Sequence, residues 1–244
     1  MEEKLKLGWS PEQISYRIRE EYPTRTDMRI SYESIYKYIY YEAKGTERQR
    51  LISYLPYKKK RRYGGSKRTV YLGVIIDRVS IDERPETIEN RNEIGHWEGD
   101  LIVGKGQKSA IGTLVERATR FTLIVHLESR KSKDVVNAFS TALQTLPDIL
   151  LKTLTYDNGI EMSEHKHFTY RTKMPVYFAH PYSSWERGTN ENTNGLIRRF
   201  FPKKTDFNKV SADQLKEVER LLNSRPRKVI SWRTPEEELK RLIA

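Results

Sequence analysis

From about residue 94 onwards, two kinds of apolar pattern alternate along the chain. The first consists of short runs of β-branched and other apolar residues bounded by polar or turn residues, which is typical of strands. Such runs predict five strands, at residues 101–103, 110–115, 121–125, 153–156 and 176–179. The polar stretch 116–120 between the second and third strands predicts a hairpin.

The second pattern spaces apolar residues three or four positions apart, as on the buried face of a helix. It predicts a helix from Ser132 that Pro147 stops, a helix over roughly 163–173 and another soon after Gly188. Thr234 as N-cap and Pro235 at the first helical position open a last helix. Three early strands followed by alternating helices and strands predict an α/β fold, with helices on the faces of a sheet.

Two helix starts are recognisable before this region. Ser10 as N-cap, Pro11 at the first helical position and Gln13 as capping-box partner predict one helix. After a turn around Pro23, Ser31 predicts the start of a second. The pair fits a helix-turn-helix motif whose second helix reads DNA, and it also fits an ordinary helical hairpin.

Charge adds a preference for a polyanionic partner. The 244 residues include 45 Lys and Arg against 33 Asp and Glu, a formal net charge of +12, which favours nucleic acid first and a membrane surface second. Basic residues are densest in one run followed by Gly64 and Gly65, a composition typical of a flexible linker. This run consists of Lys58, Lys59, Lys60, Arg61 and Arg62. We therefore expect three parts: a helix-turn-helix-like DNA-binding segment at 1–57, a basic linker and extended connector at 58–93, and the α/β domain at 94–244.

Composition also excludes several classes of protein. The chain has no cysteine, which excludes a disulfide scaffold, a cysteine-zinc site and a cysteine nucleophile. No apolar run approaches the roughly 20 residues of a membrane span. The charged N-terminus shows no secretory signal, which fits a cytoplasmic location.

Three acidic residues are the candidates for chemistry. Asp100 lies where the chain enters the first predicted strand, Asp157 follows the fourth directly, and 33 residues separate Asp157 from Glu191. If the first and fourth strands are neighbours, the two aspartates converge, and a helix crossing the sheet edge adds the glutamate. Converging carboxylates need a cation, and their oxygens favour Mg²⁺ or Mn²⁺. The alternative is a purely structural role: Asp157 opens an Asp-Asn-Gly turn, and acids at strand ends are often solvated caps.

Four blocks of sequence resemble the insertion-sequence-30 family of bacterial transposases, which have a DDE type of catalytic domain. The blocks are Gly-His-Trp-Glu-Gly-Asp-Leu-Ile at 95–102, Thr-Tyr-Asp-Asn-Gly-Ile-Glu at 155–161, Trp-Glu-Arg-Gly-Thr-Asn-Glu-Asn-Thr-Asn-Gly-Leu-Ile-Arg-Arg-Phe-Phe-Pro at 185–202 and Leu-Asn-Ser-Arg-Pro-Arg-Lys at 222–228. The third block is long and specific. The similarity extends from about Gly8 to Pro235.

The resemblance implies a ribonuclease-H-like mixed sheet flanked by helices, preceded by the small helical segment. It assigns catalysis and metal binding to Asp100, Asp157 and Glu191, with two Mg²⁺ or Mn²⁺ ions as cofactors. Glu186 is a rival for the third carboxylate, and the motif match favours Glu191. Glu98 shares the strand face of Asp100, either supporting the site or as a paired surface residue.

Basic residues near the third acid are candidates for DNA contact. In the helix after Gly188, Arg198 falls on the same face as Glu191, so it is expected to hold a phosphate, with a surface ion pair as the alternative. Arg199, Lys203 and Lys204 extend this basic region, and with the run 58–62 they complete the predicted DNA-binding residues.

The expected function is transposition of an insertion sequence. The resemblance implies metal-dependent cleavage and strand transfer at element ends. It also implies that the location is the bacterial cytoplasm, in association with the nucleoid. The partners are double-stranded DNA, as terminal inverted repeats and as target, and a second protomer or more on that DNA. Family members usually carry a further N-terminal helix-turn-helix segment, and this chain begins near the later one. The alternative function is a truncated regulator that occupies element ends without transposing them.

Overall fold

The structure is a computed structural model that describes residues 1–55, 75–181 and 183–244. These residues divide into two compact units, one comprising 1–55 and 224–238 and the other 75–223 and 239–244. The division departs from the expected one at its C-terminal end, because residues 224–238 group with the N-terminal helices. The basic run at 58–62 lies outside the described residues.

Helices make up most of the regular structure in the described parts of the chain. They are α1 (Glu2–Lys6), α2 (Pro11–Glu21), α3 (Tyr32–Lys37), α4 (Gly45–Tyr54), α5 (Ser132–Leu143), α6 (His165–Thr172), α7 (Gly188–Phe200), α8 (Ala212–Asn223) and α9 (Pro235–Ile243). One turn of π-helix, Tyr38–Glu42, continues α3. The sequence patterns predicted α2, α3, α5, α6, α7 and α9, and the structure confirms each of them.

The first unit begins with the predicted capping box. The Ser10 hydroxyl accepts a hydrogen bond from the Gln13 amide, while Gln13 Oε1 accepts from the Ser10 amide at 2.7 Å. Gln13 Nε2 also donates to the Pro226 carbonyl at 2.6 Å, and the Trp232 ring stacks on Tyr16 with centroids 4.7 Å apart. Side chains close to the two chain ends therefore build this unit together, around a core of Leu5, Ile14, Ile35, Ile39 and Leu51.

Six strands of the second unit form one sheet within the described residues. They are β1 (Val79–Ser80), β2 (His96–Val103), β3 (Ala110–Glu116), β4 (Thr122–His126), β5 (Thr153–Tyr156) and β6 (Val176–Phe178). Their order is β1-β6-β5-β2-β3-β4, with β2, β3 and β4 antiparallel and β2, β5, β6 and β1 parallel. The predicted mixed sheet flanked by helices is confirmed. β2 begins at His96 rather than at Leu101. His96 and Glu98 at its start are polar but buried, and an alternation of apolar and polar residues does not reveal buried polar positions.

Apolar side chains cover both faces of this sheet. One face carries Trp97 and Leu114 in a cluster with Phe139 of α5 and Phe168 of α6. The opposite face carries Ile102, Ile111 and Ile124, which join Ile197 of α7 and residues of α8. Because side chains alternate along a strand, Glu98 and Asp100 lie on the face covered by α7. No helix in the described segments is long and apolar enough to cross a membrane.

Candidate active site at the ends of two parallel strands

Two of the predicted acids lie at the same edge of the sheet. β2 pairs with β5 in parallel, with Glu98 opposite Thr155, and Asp100 and Asp157 each follow that pair by two positions. Both residues are an even number of positions from that pair and therefore share the α7 face. The neighbouring strands that the sequence analysis required are thus present.

Arg187 connects the two aspartates. Its Nη1 lies 3.6 Å from Asp100 Oδ1 and its Nη2 lies 3.3 Å from Asp157 Oδ2. Nη1 also donates a hydrogen bond to the Gly99 carbonyl at 3.1 Å. One guanidinium reaches both carboxylates, so the two acids form a single compact site. Arg187 immediately precedes α7 and lies within the family-like block 185–202, which was the available signal, but no role was predicted for it.

Hydrogen bonds hold both oxygens of the Asp100 carboxylate, and its pKa is raised. Its Oδ1 accepts from the Leu101 amide and its Oδ2 accepts from Asn194 Nδ2, each at 2.8 Å. Burial raises the pKa of Asp100 to about 6, with the positive charge of Arg187 opposing the rise and the negative charge of Asp157 adding to it. A divalent cation would relieve this burial of negative charge.

Asp157 combines the two roles that the sequence analysis set against each other. Its Oδ1 accepts from the Gly159 amide at 2.9 Å, which is the expected turn. Its Oδ2 meanwhile points to Arg187. Turn and site are therefore compatible, because the two oxygens of one carboxylate serve different partners.

Glu191 does not join the two aspartates in this structure. It is exposed in the first turn of α7, and no group of three or more His, Asp or Glu side chains in the described segments lies close enough to hold a metal ion. Of the three carboxylates that were expected to converge, Asp100 and Asp157 share the contact with Arg187, and Glu191 does not join them. A physical reason is that a third negative charge is repelled by the pair while a single guanidinium is its counter-charge.

Asparagines hold α7 above the site. The Asn190 amide donates to Glu98 Oε2 at 2.9 Å, and Asn190 Nδ2 donates to the Glu98 carbonyl at 2.8 Å. Glu98 is fully buried and forms an ion pair with Arg117 at 3.2 Å. Glu98 therefore supports the site through α7, and the surface alternative for it is wrong. Asn190 and Asn194 were missed, although their spacing of four, on either side of Glu191, was available as a signal.

The other predicted residues in the described part of the chain do not contact the two aspartates. Arg198 Nη2 donates to the Val103 carbonyl at 2.7 Å, and its Nη1 has no hydrogen-bond partner within the described residues. Arg199 lies in the last turn of α7, and Lys203 and Lys204 are exposed just beyond it. The rival Glu186 faces His180 instead, with Oε1 2.9 Å from His180 Nδ1. DNA contact by the four basic residues stays a prediction.

The donor set at this edge fits a divalent cation. Asp100 and Asp157 supply hard carboxylate oxygens, the type of ligand that Mg²⁺ and Mn²⁺ prefer. The guanidinium of Arg187 stands between them as a positive charge in the place where a metal ion would provide one. Asp100 and Asp157 are the residues able to hold such an ion.

Comparisons with known proteins identify the family to which this chain is similar. The family described as "Integrase core domain" matches residues 90–184. The chain is 42% identical over 248 residues to "Transposase InsI for insertion sequence element IS30A" of Escherichia coli K12, covering 99% of this chain and 64% of that protein. It is 41% identical over 240 residues to "Transposase for insertion sequence element IS1086" of Cupriavidus metallidurans, covering 98% and 71%.

The chain is also similar to a third transposase and to one solved structure. "Transposase for insertion sequence element IS4351" of Bacteroides fragilis is 41% identical over 241 residues, covering 98% of this chain and 71% of that protein. A simian T-cell lymphotropic virus intasome in complex with PP2A regulatory subunit B56 gamma is 16% identical, with a TM-score of 0.49, covering 59% of this chain and 54% of that one. The chain spans 64% to 71% of the length of the three transposases.

Proposed function

Because the chain belongs to the IS30 family of insertion-sequence transposases, we propose that it is itself a DNA transposase that cleaves element ends and joins them to target DNA with the help of divalent metal ions. The observation that carries the proposal is the meeting of Asp100 and Asp157 on the α7 face of two adjacent parallel strands. Phosphodiester transfer needs such a place, where negative charge is concentrated and a metal can be fixed.

The metal ions, when bound, would supply activation of a water or a 3′-hydroxyl and stabilisation of the leaving oxygen. In the chain itself, Asp100 and Asp157 hold them. Asn194 orients Asp100 through the hydrogen bond to Oδ2, and the Leu101 amide fixes the other oxygen. The carboxylates need not form a covalent bond to DNA, because the nucleophile is water or a DNA hydroxyl.

Glu191 is proposed as the third metal ligand. It precedes Asn194 by three residues on α7, and residues with this spacing are neighbours on a helix surface. Since Asn194 contacts Asp100 directly, Glu191 belongs to the part of α7 that lies nearest the aspartates. Its charge is repelled by the pair until a cation offsets that repulsion, which is why its recruitment is expected to depend on metal.

DNA is the proposed partner for the basic surface and the N-terminal helices. Arg198, Arg199, Lys203 and Lys204 follow Glu191 along α7 and the segment after it, so they are suited to holding phosphates close to the reacting strand. The exposed side of α3 is the proposed reading surface, and binding is expected to weaken steeply with salt. Joining two element ends calls for a dimer or a larger assembly on DNA.

The test is the substitution Asp157→Asn, assayed on DNA carrying element ends with Mn²⁺ or Mg²⁺. We expect loss of cleavage and strand transfer by about a thousandfold or more, since removing a metal-binding charge removes transition-state stabilisation. DNA binding in a gel-shift assay should change little. Asp148→Asn, at an exposed residue beyond the site, is the matched control and should retain activity.

Full activity of the Asp157→Asn protein would overturn the assignment. The same assay addresses the alternative of a regulator that binds element ends without transposing them. A wild-type chain that binds end-containing DNA but never cuts it with either metal would favour that alternative.

A further inference from the structure

Arg187 occupies the centre of the acidic site. Its guanidinium meets three acceptors, the Gly99 carbonyl and the carboxylates of Asp100 and Asp157. The side chain of Arg187 is only 13% exposed, while the Asp157 side chain that it meets is 41% exposed and therefore open to an incoming ion. Arg187 Nε is buried without a hydrogen-bond partner in the described part of the chain. This is a cation placed for its charge between two acids, at the cost of one unsatisfied donor.

The backbone that carries Arg187 is held independently of these contacts. Residues Ser184–Arg187 form a turn of 3₁₀-helix directly before α7. Glu186 in that turn accepts a hydrogen bond from the His180 amide at 2.8 Å, and its second oxygen lies 2.9 Å from His180 Nδ1. The guanidinium can therefore leave the acids through rotation of its own side chain, while the turn stays in place.

A guanidinium and a divalent cation compete for the same oxygens. Asp100 Oδ1 and Asp157 Oδ2 face Arg187, and they belong to the carboxylates that the proposed function assigns to metal binding. A metal ion carries twice the charge of the guanidinium and makes direct bonds to oxygen, so it wins at sufficient concentration. Its apparent affinity is lowered by whatever free energy the Arg187 contacts contribute.

We propose that Arg187 is the built-in counter-ion of this active site: it neutralises Asp100 and Asp157 until a divalent cation displaces it, and in this way it sets the metal affinity. The inference rests on the proposed function, because it takes the same two aspartates as the metal ligands. It assigns to Arg187 a positioning role that neither the motif spacing nor the family comparison assigns.

The first experiment measures Mn²⁺ binding to the metal-free full-length chain by isothermal titration calorimetry. Arg187→Gln keeps a hydrogen-bond donor for the Gly99 carbonyl and removes the charge. We expect it to bind Mn²⁺ about tenfold more tightly than wild type, since no cation has to be displaced. Arg187→Lys, which keeps the charge, should stay closer to wild type. The matched control Arg198→Gln removes a guanidinium of α7 that bonds the Val103 carbonyl, and should leave the affinity within about twofold.

The outcomes separate this inference from the proposed function. Mn²⁺ binding by wild type that Asp157→Asn abolishes supports the metal site, and unchanged or weaker binding by Arg187→Gln then overturns the counter-ion role alone. Absence of Mn²⁺ binding in both the wild type and Arg187→Gln overturns the metal site and the counter-ion role together. Equal gains in Arg187→Gln and Arg198→Gln would show a general charge effect and would also contradict the inference.

A second measurement needs no change at Arg187. The Nε–H group of Arg187 reports on the guanidinium directly, because it is buried without a hydrogen-bond partner in the described part of the chain. Its ¹⁵N resonance, assigned through the bonds from the Arg187 backbone, should shift when Mg²⁺ is added, with the midpoint found by calorimetry. The shift should vanish in Asp157→Asn. Calorimetric binding of Mg²⁺ without any shift of this resonance would contradict displacement, even if the Arg187 variants failed to fold.

Discussion

Asp100 shows at the scale of one residue how the needs of a site oppose those of the fold. Burial raises the pKa of its carboxyl to about 6, above the ordinary value of 3.8. A carboxyl whose pKa is higher in the folded chain stabilises the fold while protonated, below pH 3.8. That stability is lost as the pH rises through about 6. At neutral pH the charged side chain is therefore expected to destabilise the fold, at the residue proposed here as a metal ligand.

The substitution Asp100→Asn should consequently stabilise the metal-free protein at pH 7.5. We expect a gain in the free energy of unfolding of at most about 3 kcal/mol, because the pKa rises from 3.8 to about 6 and each pKa unit corresponds to about 1.4 kcal/mol. The gain is reduced by one lost hydrogen bond, since Leu101 and Asn194 donate to different oxygens and asparagine has only one acceptor. The gain should shrink towards zero as the pH falls to about 4, where the wild-type carboxyl is protonated too. Urea unfolding in the presence of a chelator measures this. A variant that is less stable than wild type at pH 7.5, or a gain that does not change with pH, would contradict it.

At the scale of elements, α7 is positioned on the sheet by polar contacts as well as apolar ones. Asn190 is fully buried and bonds both the carboxylate and the carbonyl of Glu98, while Ile197 supplies the apolar contact further along. Hydrogen bonds have direction, so they fix the rotation and height of a helix more narrowly than apolar packing does. The first turn of α7, with Glu191, is held by such bonds.

Replacing Asn190 with Ala should therefore weaken the second unit by about 1–2 kcal/mol, because the buried side chain loses its hydrogen bonds to the Glu98 carbonyl and from the Thr113 hydroxyl. Amide exchange measured by mass spectrometry should accelerate in α7 more than in β3. The matched control is Asn192→Ala, at an exposed position of the same helix, where the change should stay within about 0.5 kcal/mol. Equal exchange rates in the two variants would count against the anchoring role.

At the scale of the whole molecule, the chain forms two compact units, and the first takes residues from both ends of the chain. Gln13 is central to that arrangement, because it completes the capping box of α2 and donates to the Pro226 carbonyl. Arg225 Nε also donates to Gln13 Oε1 at 3.0 Å. One buried amide thus connects a helix start to a segment more than two hundred positions away.

The substitution Gln13→Ala should destabilise the first unit selectively, by about 2 kcal/mol, from the lost cap and the lost buried hydrogen bonds. Amide exchange should accelerate in α2 and in residues 224–234 together, and much less in β3 and β5. Gln49→Ala, at an exposed position of α4, is the control and should leave exchange unchanged. Faster exchange in α2 alone would show that the C-terminal segment does not depend on this contact.

From sequence patterns alone, five of the six described strands and six of the nine described helices were predicted, and Asp100 and Asp157 were identified as candidates. Alternation and helical spacing are local consequences of backbone geometry, and capping at Ser10 and Ser31 depends on residues three positions apart. Asp100 and Asp157 were identifiable because each stands at a predicted strand. The short strand β1, and α1, α4 and α8, were not predicted. β1, only two residues long, carries no periodicity.

Only the tertiary structure decided which polar residues share a site. The contacts that define the site join residues far apart in the chain: Asn190 bonds Glu98, Asn194 bonds Asp100, and Arg187 bridges Asp100 and Asp157. In the first unit, Gln13 bonds Pro226 in the same long-range way. The sequence does not distinguish a polar residue that faces water from one with a buried partner, because the partner lies far away in the chain. Folding brings the partner into contact, and only then can a charge on the surface be distinguished from a charge that is paired inside a site.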